Sequence, residues 1–469
     1  MHIAGSKHDT IAAIATPPGS GGVGIVRASG PDALSIAQRL FSSTRQNFGG
    51  LKPYRLHHGW IDDEGGQRLD EALVAYMPGP GSYTGEDVVE FNCHGGPAVL
   101  RAVLEAVLKA GARTASPGEF TYRAFMNGRL DLTQAEAVAE TIAAPTRAGL
   151  TLAQAKLSGA LGKRITQLRD QLEELRVKLC VAVDFPEDEV ECLSPDEFLE
   201  GIGTVREGLR TLLGSFERNR CWRDGALTVL AGQVNAGKSS LMNALLGRER
   251  AIVTDIPGTT RDYLEEALNL EGLPVRLVDT AGLRETEDAV ERAGLERSRD
   301  LTTQADLVLL VVDRHRTLSA DDVALAQNTG PENTLVVLNK TDLSAPPHSK
   351  ESPAQETDWF AKAGYETVGI SAKTGQGLDA LCQRIRERIV GGGAEPDAGE
   401  VVPNLRQSQA LSGALVELEA LETDIQQGLP YDLLGVRLET ACSMLSEITG
   451  DIAPAGVLEA VFGRFCIGK

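Results

Sequence analysis

The sequence predicts a multidomain fold: an α+β domain at the N-terminus, an all-α helical domain, and an α/β domain inserted into the helical one. Its 469 residues are too many for one ordinary hydrophobic core. Apolar residues recur at helical spacing on both sides of a central segment, which itself alternates strand-like and helix-like stretches. The predicted bounds are 1–127 for the N-terminal domain, 128–223 and 391–469 for the two parts of the helical domain, and 224–390 for the inserted domain.

The N-terminal domain is predicted from short apolar runs separated by turns. The strand-like runs are 11–15, 23–28, 71–77 and 87–92, and a helix is predicted over 97–110. Strands and helices that do not alternate regularly are typical of an α+β domain.

The helical domain is predicted from segments 130–185, 195–223 and 404–462, which combine helical apolar spacing with few glycines. Residues 391–396 are rich in glycine and predict a flexible linker. Because the inserted domain is entered and left through helical segments, its two ends are expected to lie close together.

A glycine-rich loop in the inserted domain indicates the chemistry. Residues 232–239 read Gly-Gln-Val-Asn-Ala-Gly-Lys-Ser, after a predicted strand (226–231) and before a predicted helix (240–246). The backbone N–H groups of such a loop surround phosphate oxygens, and the helix N-terminus adds partial positive charge. Lys238 is expected to reach the β- and γ-phosphates, and Ser239 is expected to ligate Mg²⁺.

Three downstream motifs indicate which nucleotide binds. Asp279 begins an Asp-x-x-Gly turn, where it is expected to hold Mg²⁺ through water while Gly282 N–H meets the γ-phosphate. Asp342, in the motif 339–342 (Asn-Lys-Thr-Asp), can accept hydrogen bonds from N1–H and the 2-amino group of guanine, a donor pair that adenine lacks. Residues 371–373 (Ser-Ala-Lys) supply a backbone contact to the guanine oxygen. The motifs therefore predict an α/β P-loop GTPase (Ras-like) domain that binds GTP.

The group that orients the attacking water is less evident. Leu283 stands where many small GTPases place a glutamine, so either hydrolysis uses another polar group or the protein is a poor GTPase. Glu291 either acts on this water or is a solvated acid at a helix start.

The segment 255–262 precedes a predicted hairpin (264–278, turning at 272–274) and is expected to close on the γ-phosphate and Mg²⁺. Thr260 is the preferred ligand, with Thr259 as its rival. Arg261 is either an arginine finger or a surface charge.

With these GTPase motifs, six further motifs resemble the MnmE (TrmE) family of tRNA modification GTPases over nearly the whole chain. The terminal motif is close to a signature of that family. The six motifs are 15–19 with 21–24 (Ala-Thr-Pro-Pro-Gly and Gly-Gly-Val-Gly), 83–87 (Tyr-Thr-Gly-Glu-Asp), 94–97 (His-Gly-Gly-Pro), 117–120 (Pro-Gly-Glu-Phe), 130–137 (Leu-Asp-Leu-Thr-Gln-Ala-Glu-Ala) and 465–469 (Phe-Cys-Ile-Gly-Lys).

This resemblance implies an enzyme that adds an aminomethyl or carboxymethylaminomethyl group to C5 of the wobble uridine of certain tRNAs. It would work with an FAD-containing partner of the MnmG family that uses NADH. A folate, 5-formyltetrahydrofolate or methylenetetrahydrofolate, would bind the N-terminal domain. GTP hydrolysis would be stimulated by K⁺ when the two G domains of a homodimer meet.

The resemblance also assigns residues, with Val234 in place of a common proline and Arg129 in place of a common lysine. The K⁺ ligands fall on Asn235, Thr254, Ile256 and Thr259, the Mg²⁺ ligands on Ser239 and Thr260, and the folate contacts on Arg27, Glu90, Arg129 and Lys469. The water-orienting role falls on Glu291, which makes Glu291, Lys238 and Thr260 the catalytic set. The residues expected to contact GTP are Asn235, Ala236, Gly237, Lys238, Ser239, Ser240, Thr254, Thr259, Thr260, Asp279, Thr280, Ala281, Gly282, Asn339, Lys340, Asp342, Ser371 and Ala372.

Composition narrows the classes of partner. The formal net charge of −20 argues against broad nucleic-acid affinity, so tRNA binding requires a local basic patch or a basic companion protein. Seven cysteines without a Cys-x-x-Cys pair fit a reducing compartment. With no long apolar run and no signal peptide, the chain is predicted to be cytoplasmic and to have no membrane partner.

Several other residues have both a functional and a structural interpretation. Cys93 and His94 point to opposite faces of a strand, which disfavours a shared metal ion and leaves His94 as a neighbour of the folate pocket. Cys466 is either a nucleophile or a small buried apolar residue. Glu187, Asp188, Glu189 and Glu191 fit a helix start better than a Mg²⁺ site. The basic residues of one helical segment fit a solvated helix face better than a contact with tRNA or the flavoprotein; they are Lys163, Arg164, Arg169, Arg176 and Lys178.

Two rival functions come from other classes. A ribosome-assembly GTPase would be an RNA-binding switch without chemistry on uridine, but the segment after residue 390 lacks the basic module that this predicts. A folate-dependent one-carbon transferase regulated by GTP would act on a small molecule or a protein, and only the family resemblance argues against it.

Overall fold

The computed structural model describes residues 9–184, 195–248, 265–279, 301–316, 318–343, 359–391 and 395–469. The chain divides into two compact units. The first contains Met1–Ala139, Lys156–Thr211 and Pro403–Lys469, and the second contains Glu140–Ala155 and Leu212–Val402. Within the described helices, none is both long and apolar enough to cross a bilayer.

The N-terminal part of the first unit is built on a seven-stranded sheet with the order β3-β4-β5-β6-β2-β1-β7. Its pairings are antiparallel except for the parallel pair of β1 and β7. The strands are β1 (Ile11–Ile14), β2 (Gly21–Ser29), β3 (Phe41–Ser43), β4 (Leu56–Asp62), β5 (Arg68–Met77), β6 (Val88–Gly95) and β7 (Arg113–Thr114). All four predicted strands are present, and β3, β4 and β7 are additional.

Three helices accompany this sheet: α1 (Ala33–Leu40), α2 (Pro97–Lys109) and α3 (Glu119–Met126). Helix α2 begins with Pro97, whose fixed φ suits the first helical position. Helices α1 and α2 bury apolar residues such as Val103 against Val74 and Phe91 of the sheet. The opposite side of the sheet is left for polar and charged side chains of β2 and β6.

Long helices are present, as predicted, but the predicted segments 130–185 and 404–462 are each divided into three helices. The helix that starts at Leu405 has a capping box between Asn404 and Gln407. The helices that start at Ala160 and Leu405 both pack against the one that starts at Tyr431, and their buried leucines include Leu179, Leu418 and Leu445. The helices are α4 (Leu132–Ala143), α5 (Arg147–Leu157), α6 (Ala160–Asp184), α7 (Pro195–Asp224), α11 (Leu405–Gln426), α12 (Tyr431–Thr449) and α13 (Ala455–Phe462).

A buried ion pair joins two of these helical segments. Glu136 of α4 accepts two hydrogen bonds from Arg406, at 2.7 Å from Nε and 2.8 Å from Nη2, and a third from Gln407 Nε2 at 2.6 Å. Arg406 also donates to the carbonyl oxygens of Glu447 and Ile448 at the end of α12. Residues 270 positions apart are thereby held in one polar cluster.

Replacing Glu136 with alanine is expected to weaken the packing of α4 against α11 by about 3 kcal/mol, because Arg406 and Gln407 lose their buried acceptor. Hydrogen exchange of α11 and α12 amides would measure this locally, since a multidomain chain need not unfold in two states. Glu417→Ala is the control, because Glu417 belongs to a half-exposed pair with Arg437 worth less than about 1 kcal/mol. Equal effects of the two substitutions would show that the ion pair of Glu136 does not hold α4 against α11.

The second unit contains a six-stranded sheet with the order β13-β12-β11-β8-β10-β9. All its pairs are parallel except the hairpin of β9 and β10. The hairpin was expected to turn at residues 272–274, but it turns at Glu271 and Gly272, and Leu273 and Pro274 already belong to β10. The strands are β8 (Ala226–Ala231), β9 (Glu265–Leu270), β10 (Leu273–Asp279), β11 (Leu307–Asp313), β12 (Thr334–Asn339) and β13 (Glu366–Gly369).

Both faces of this sheet are covered, so its central strands are continuous apolar runs. In β11 every residue is buried. Leu309 and Val311 pack in one core and Leu310 and Val312 in another, on the opposite face. The described helices of this domain are α8 (Lys238–Arg248), α9 (Ala320–Asn333, two helical stretches joined at Gly330) and α10 (Leu378–Val390). The predicted α+β, all-α and α/β architecture is thus confirmed.

Candidate functional site

The predicted phosphate-binding loop joins β8 to α8 and depends on two glycines. Gly232 (φ 129°) and Gly237 (φ 100°) have backbone conformations that side chains rarely adopt. A Cβ atom at Gly232 would overlap the Val311 carbonyl oxygen, and one at Gly237 would overlap the amide of Asn339. The loop therefore approaches the ends of β11 and β12 as closely as backbone atoms allow.

Lys238 and Ser239 lie at the start of α8, where anionic oxygens are favoured. Lys238 is only 5% exposed, and its Nζ donates to the carbonyl oxygens of Gly232 (2.9 Å) and Gln233 (2.8 Å). Ser239 Oγ donates to Asp279 Oδ2 at 2.9 Å, which brings together a hydroxyl and a buried carboxylate. Hard oxygen ligands of this kind suit Mg²⁺, so the residues present fit that ion.

Asn339 connects the phosphate-binding loop to the base-recognition segments. Its buried side-chain amide donates to the Ala236 carbonyl oxygen at 2.9 Å, and its Oδ1 accepts from the backbone N–H of Ala372 at 3.0 Å. Lys340 adds a second link, since its Nζ donates to the Asn235 carbonyl oxygen at 2.9 Å and to Asp313 Oδ2 at 2.7 Å. Three segments far apart in sequence therefore form one site.

Asp342 is positioned for guanine by Ser371. Ser371 Oγ donates to Asp342 Oδ1 at 2.7 Å, and this hydrogen bond holds the pKa of the Asp342 carboxyl below its ordinary value. An ionised carboxylate accepts hydrogen bonds only, which suits the N1–H and 2-amino donors of guanine. The structure thus brings Asn339, Lys340, Asp342, Ser371 and Ala372 together as the sequence predicted.

The sequence analysis missed Asp313, at the end of β11. Burial opposes ionisation of its carboxyl, but hydrogen bonds from Lys340 Nζ and the His315 backbone N–H prevail and lower its pKa. His315 Nε2 lies 3.1 Å from the Lys340 carbonyl oxygen. A polar residue directly after a buried parallel strand was the available signal, because the carboxyl ends of such strands meet at the ligand-binding edge.

Ser240, also expected to contact GTP, lies in the first turn of α8 and is exposed. The other predicted GTPase residues lie outside the described part of the chain. These are Thr254, Ile256, Thr259, Thr260, Arg261, Thr280, Ala281, Gly282, Leu283 and Glu291.

The N-terminal domain contains a second group of charged residues around Arg27. Arg27 of β2 lies opposite Glu90 of β6, and its Nε donates to Glu90 Oε1 at 2.8 Å. Its Nη1 donates to the carbonyl oxygen of Gly468 at 3.0 Å, across 441 positions of sequence. The guanidinium also lies above the rings of Phe120 (5.6 Å) and Tyr83 (6.0 Å), which fix its orientation.

The C-terminal tail reaches this group because of a glycine. Gly468 has φ 97°, and a Cβ atom there would overlap the Ile14 carbonyl oxygen. Lys469 is half-buried, and burial together with the nearby Arg27 lowers its pKa. Arg129 is exposed, with its side chain beside Gly85. Cys466 is exposed, so it is not the small buried residue that was one of its two interpretations.

Two of the motifs that carry the family resemblance meet at a buried arginine. Arg123 donates to Glu86 Oε2 at 3.0 Å, to Glu119 Oε1 at 3.1 Å and to Asp9 Oδ1 at 2.6 Å. Arg113 donates to Asp9 and Glu119 as well. Glu86 comes from the motif at 83–87 and Glu119 from that at 117–120, so these carboxylates join the segments that carry Tyr83 and Phe120. The contacts of Arg123 with Asp9 and Glu86 join residues far apart in sequence and no local pattern shows them, whereas Glu119 lies one helical turn before Arg123.

This network predicts acid sensitivity of the N-terminal domain. Burial opposes ionisation of Asp9 and Glu119, but hydrogen bonds from Arg113 and Arg123 prevail. Both pKa values therefore lie below the ordinary values, which are 3.8 for aspartate and 4.5 for glutamate. Because the folded pKa values are lowered, the stabilisation is complete above the ordinary values and disappears as the pH falls through the folded ones.

Glu119→Gln is expected to lower stability at pH 7 by about 1–3 kcal/mol and to reduce the loss of stability between pH 5 and pH 2. Thermal melting across that pH range would measure both effects. Glu105→Gln, on the exposed face of α2, is the matched control and should leave the profile unchanged. An unchanged pH profile for Glu119→Gln would show that the network does not control acid stability.

Cys93 and His94 point in opposite directions, as expected for neighbours on a strand. Cys93 is buried, and burial raises its pKa to about 12. His94 is exposed, with Nδ1 2.7 Å from Asp70 Oδ1, and that carboxylate raises the pKa of His94. The two side chains do not form a shared metal site.

A mostly parallel sheet with a glycine-rich loop between β8 and α8 and an Asn-Lys-Thr-Asp segment at the end of β12 has the form of a P-loop GTPase domain. Two family models match the chain: the MnmE helical domain over residues 132–466 and the GTP-binding protein TrmE N-terminus over residues 10–129. The chain belongs to the MnmE (TrmE) family of tRNA modification GTPases, as its motifs predicted.

Relatives extend along the whole chain. The tRNA modification GTPase MnmE of Nitratidesulfovibrio vulgaris (strain DP4) is 56% identical over 463 residues, which are 98% of this chain and 99% of that protein. The tRNA modification GTPase MnmE of Lawsonia intracellularis is 46% identical over 98% of this chain and 100% of its own length. Among solved structures, a variant of Aquifex aeolicus Era bound to GDP.AlF4- matches 41% of this chain and 66% of its own, with 26% identity and a TM-score of 0.29.

Proposed function

We propose that this protein adds an aminomethyl or carboxymethylaminomethyl group to C5 of the wobble uridine of tRNA, under control of GTP hydrolysis. It acts in the cytoplasm as a homodimer, with an FAD-containing partner of the MnmG family. The observation that carries this proposal is a second charged site, around Arg27, in a domain separate from the GTPase sheet. A GTPase that served only as a binding switch would have no need of such a site.

In this proposal the GTPase residues position and neutralise phosphate. Lys238 and the backbone N–H groups of the loop bind the β- and γ-phosphates, and Ser239, with Asp279 beside it, holds Mg²⁺. The side chain of Asn235 takes K⁺, because the backbone carbonyl oxygen of Asn235 already accepts a hydrogen bond from Lys340 Nζ. Thr254, Ile256 and Thr259 are the other assigned K⁺ ligands, Thr260 is the second Mg²⁺ ligand, and Glu291 orients water.

The second site fits a folate chemically. Glu90 can accept hydrogen bonds from the N–H groups of a pterin ring, which has the same 2-amino donor edge as guanine. Arg27 and Lys469 lie beside Glu90 and therefore act at the same end of the cofactor, whereas Arg129 supplies positive charge for its glutamate carboxylates. The folate supplies the one-carbon unit when bound, and the aromatic rings of Tyr83 and Phe120 keep Arg27 in place.

The experiment is a comparison of wobble nucleosides by mass spectrometry in tRNA from cells with and without this gene. Modified C5-aminomethyl-type uridines should disappear on deletion, return with the wild-type gene, and not return with Asp279→Ala. Lys362→Ala, an exposed lysine of the GTPase unit, should restore them and serves as the control. An unchanged nucleoside profile after deletion would contradict the proposal and favour a ribosome-assembly role.

Coupling between hydrolysis and modification is tested by Glu291→Ala. This variant should lose both GTP hydrolysis and tRNA modification. Wild-type hydrolysis would remove Glu291 from the mechanism, whereas normal modification without hydrolysis would show that the GTPase does not control the second site.

A further inference from the structure

A basic loop in the N-terminal domain is unlike the rest of this acidic protein. The chain has a formal net charge of −20, yet no aspartate or glutamate occurs between Asp32 and Asp62. Within that interval, the loop of residues 45–57 contains Arg45, Lys52 and Arg55. All three side chains are exposed.

These three cations have no carboxylate partner among the described residues. Among the described residues, no aspartate or glutamate lies within ion-pair distance of Arg45, Lys52 or Arg55, whereas Arg27, Arg113, Arg123, Arg406 and Arg437 each contact at least one. Positive charges that are grouped but not internally neutralised attract external anions.

The cations surround a cavity of about 470 Å³, which is large enough for several phosphate or sugar groups. The loop that forms it is fixed from within. Phe48 packs edge-on against Phe41 (5.6 Å) and His57 (5.4 Å), and the Lys52 backbone N–H donates to His57 Nε2 at 2.9 Å. These contacts within the loop therefore hold the shape of the cavity.

An aromatic side chain stands between two of the cations in sequence. Tyr54 exposes 62% of its surface, and its backbone N–H donates to the Tyr76 carbonyl oxygen at 2.8 Å. Cations interleaved with an exposed aromatic ring are typical of surfaces that bind phosphate backbone and stack on a base.

The strand register places this cavity near the Arg27 site. Leu56 lines the cavity and pairs with Ala75, Ala75 pairs with Glu90, and Glu90 pairs with Arg27. Three strand spacings of about 4.8 Å put the cavity edge about 14 Å from Arg27 along the sheet.

We propose that the cavity bounded by Arg45, Lys52 and Arg55 binds backbone phosphates of the substrate tRNA, close to the base that is modified. This inference rests on the proposed function for its substrate. It also explains how a chain of net charge −20 contacts RNA.

The test is binding of a tRNA transcript with uridine at the wobble position to the full-length protein, measured at several salt concentrations. The triple variant Arg45→Gln/Lys52→Gln/Arg55→Gln should bind at least about tenfold more weakly near 0.1 M salt. The slope of log affinity against log salt should become shallower by about 2, or about 0.7 for each lost phosphate contact. Arg101→Gln/Lys109→Gln/Lys362→Gln removes as much charge from exposed positions elsewhere and should change both quantities little.

Three outcomes would overturn the inference. The two triple variants could bind tRNA equally well, or the wild-type protein could fail to bind tRNA. The Arg45/Lys52/Arg55 variant could also keep its affinity for tRNA and lose its affinity for the FAD-containing partner. Displacement of tRNA by inorganic phosphate at constant ionic strength would identify a small-anion site and overturn it too. GTP hydrolysis should stay unchanged in the triple variant. Because deletion of the gene tests the proposed function separately, the wobble nucleosides show which of the two proposals has failed.

Discussion

Asp342→Asn should convert the GTPase domain from a GTP-binding to a xanthosine triphosphate-binding domain. The Asp342 carboxylate accepts from N1–H and the 2-amino group of guanine, and the asparagine amide would direct a donor at that amino group. Two lost or reversed hydrogen bonds to a charged group cost about 3–6 kcal/mol, so GTP affinity should fall by about 10² to 10⁴. Xanthine has an oxygen where guanine has the amino group, so its nucleotide should gain affinity.

Titration with fluorescent analogues of GTP and xanthosine triphosphate would measure this exchange. Ser371 Oγ can still donate to the asparagine oxygen, so the loop should keep its position. The control is Asp379→Asn, at an aspartate that is 85% exposed at the start of α10. If Asp342→Asn bound GTP as tightly as the wild type, Asp342 would not read the base. If it lost both nucleotides together with melting temperature, the effect would be on folding.

The base-recognition residues were predictable because each motif follows a strand, although β13, before Ser371, is only partly buried. Runs such as Leu307–Asp313 and Thr334–Asn339 identify parallel strands, and their carboxyl ends lie at one edge of the sheet. Spacing along the chain therefore sufficed to place Asn339 and Asp342 near the phosphate-binding loop. It did not reveal that Asn339 binds the Ala236 carbonyl oxygen, since that bond depends on how closely Gly237 lets the loop approach.

The Arg27 site could be predicted only from the family resemblance. Its contacts join residues from opposite ends of the chain, as between Arg27 and Gly468, and no period or composition signals such a contact. The same holds for the contacts of Arg123 with Asp9 and Glu86, whereas its contact with Glu119 spans one turn of a helix. Tertiary ion pairs are selected by the assembled fold, whereas strands and helices are already encoded in local apolar spacing.

Lys238→Ala should reduce the rate of GTP hydrolysis at saturating GTP by about 10²- to 10³-fold, which is the usual cost of removing one group that stabilises developing charge. Lys238 is almost fully buried, and its position at the start of α8 directs its ammonium toward the phosphate-binding loop. Rates of phosphate release from GTP, with Lys362→Ala as the control, would measure the loss.

A second substitution separates charge from geometry at this position. Lys238→Arg keeps the positive charge, but its planar guanidinium cannot occupy the space of an ammonium held between the carbonyl oxygens of Gly232 and Gln233. It should therefore bind GTP better than Lys238→Ala and still hydrolyse it slowly. Full hydrolysis by Lys238→Arg would show that charge alone is sufficient. Full hydrolysis by Lys238→Ala would show that catalysis depends on groups outside this loop, and the GTPase mechanism proposed here would be wrong.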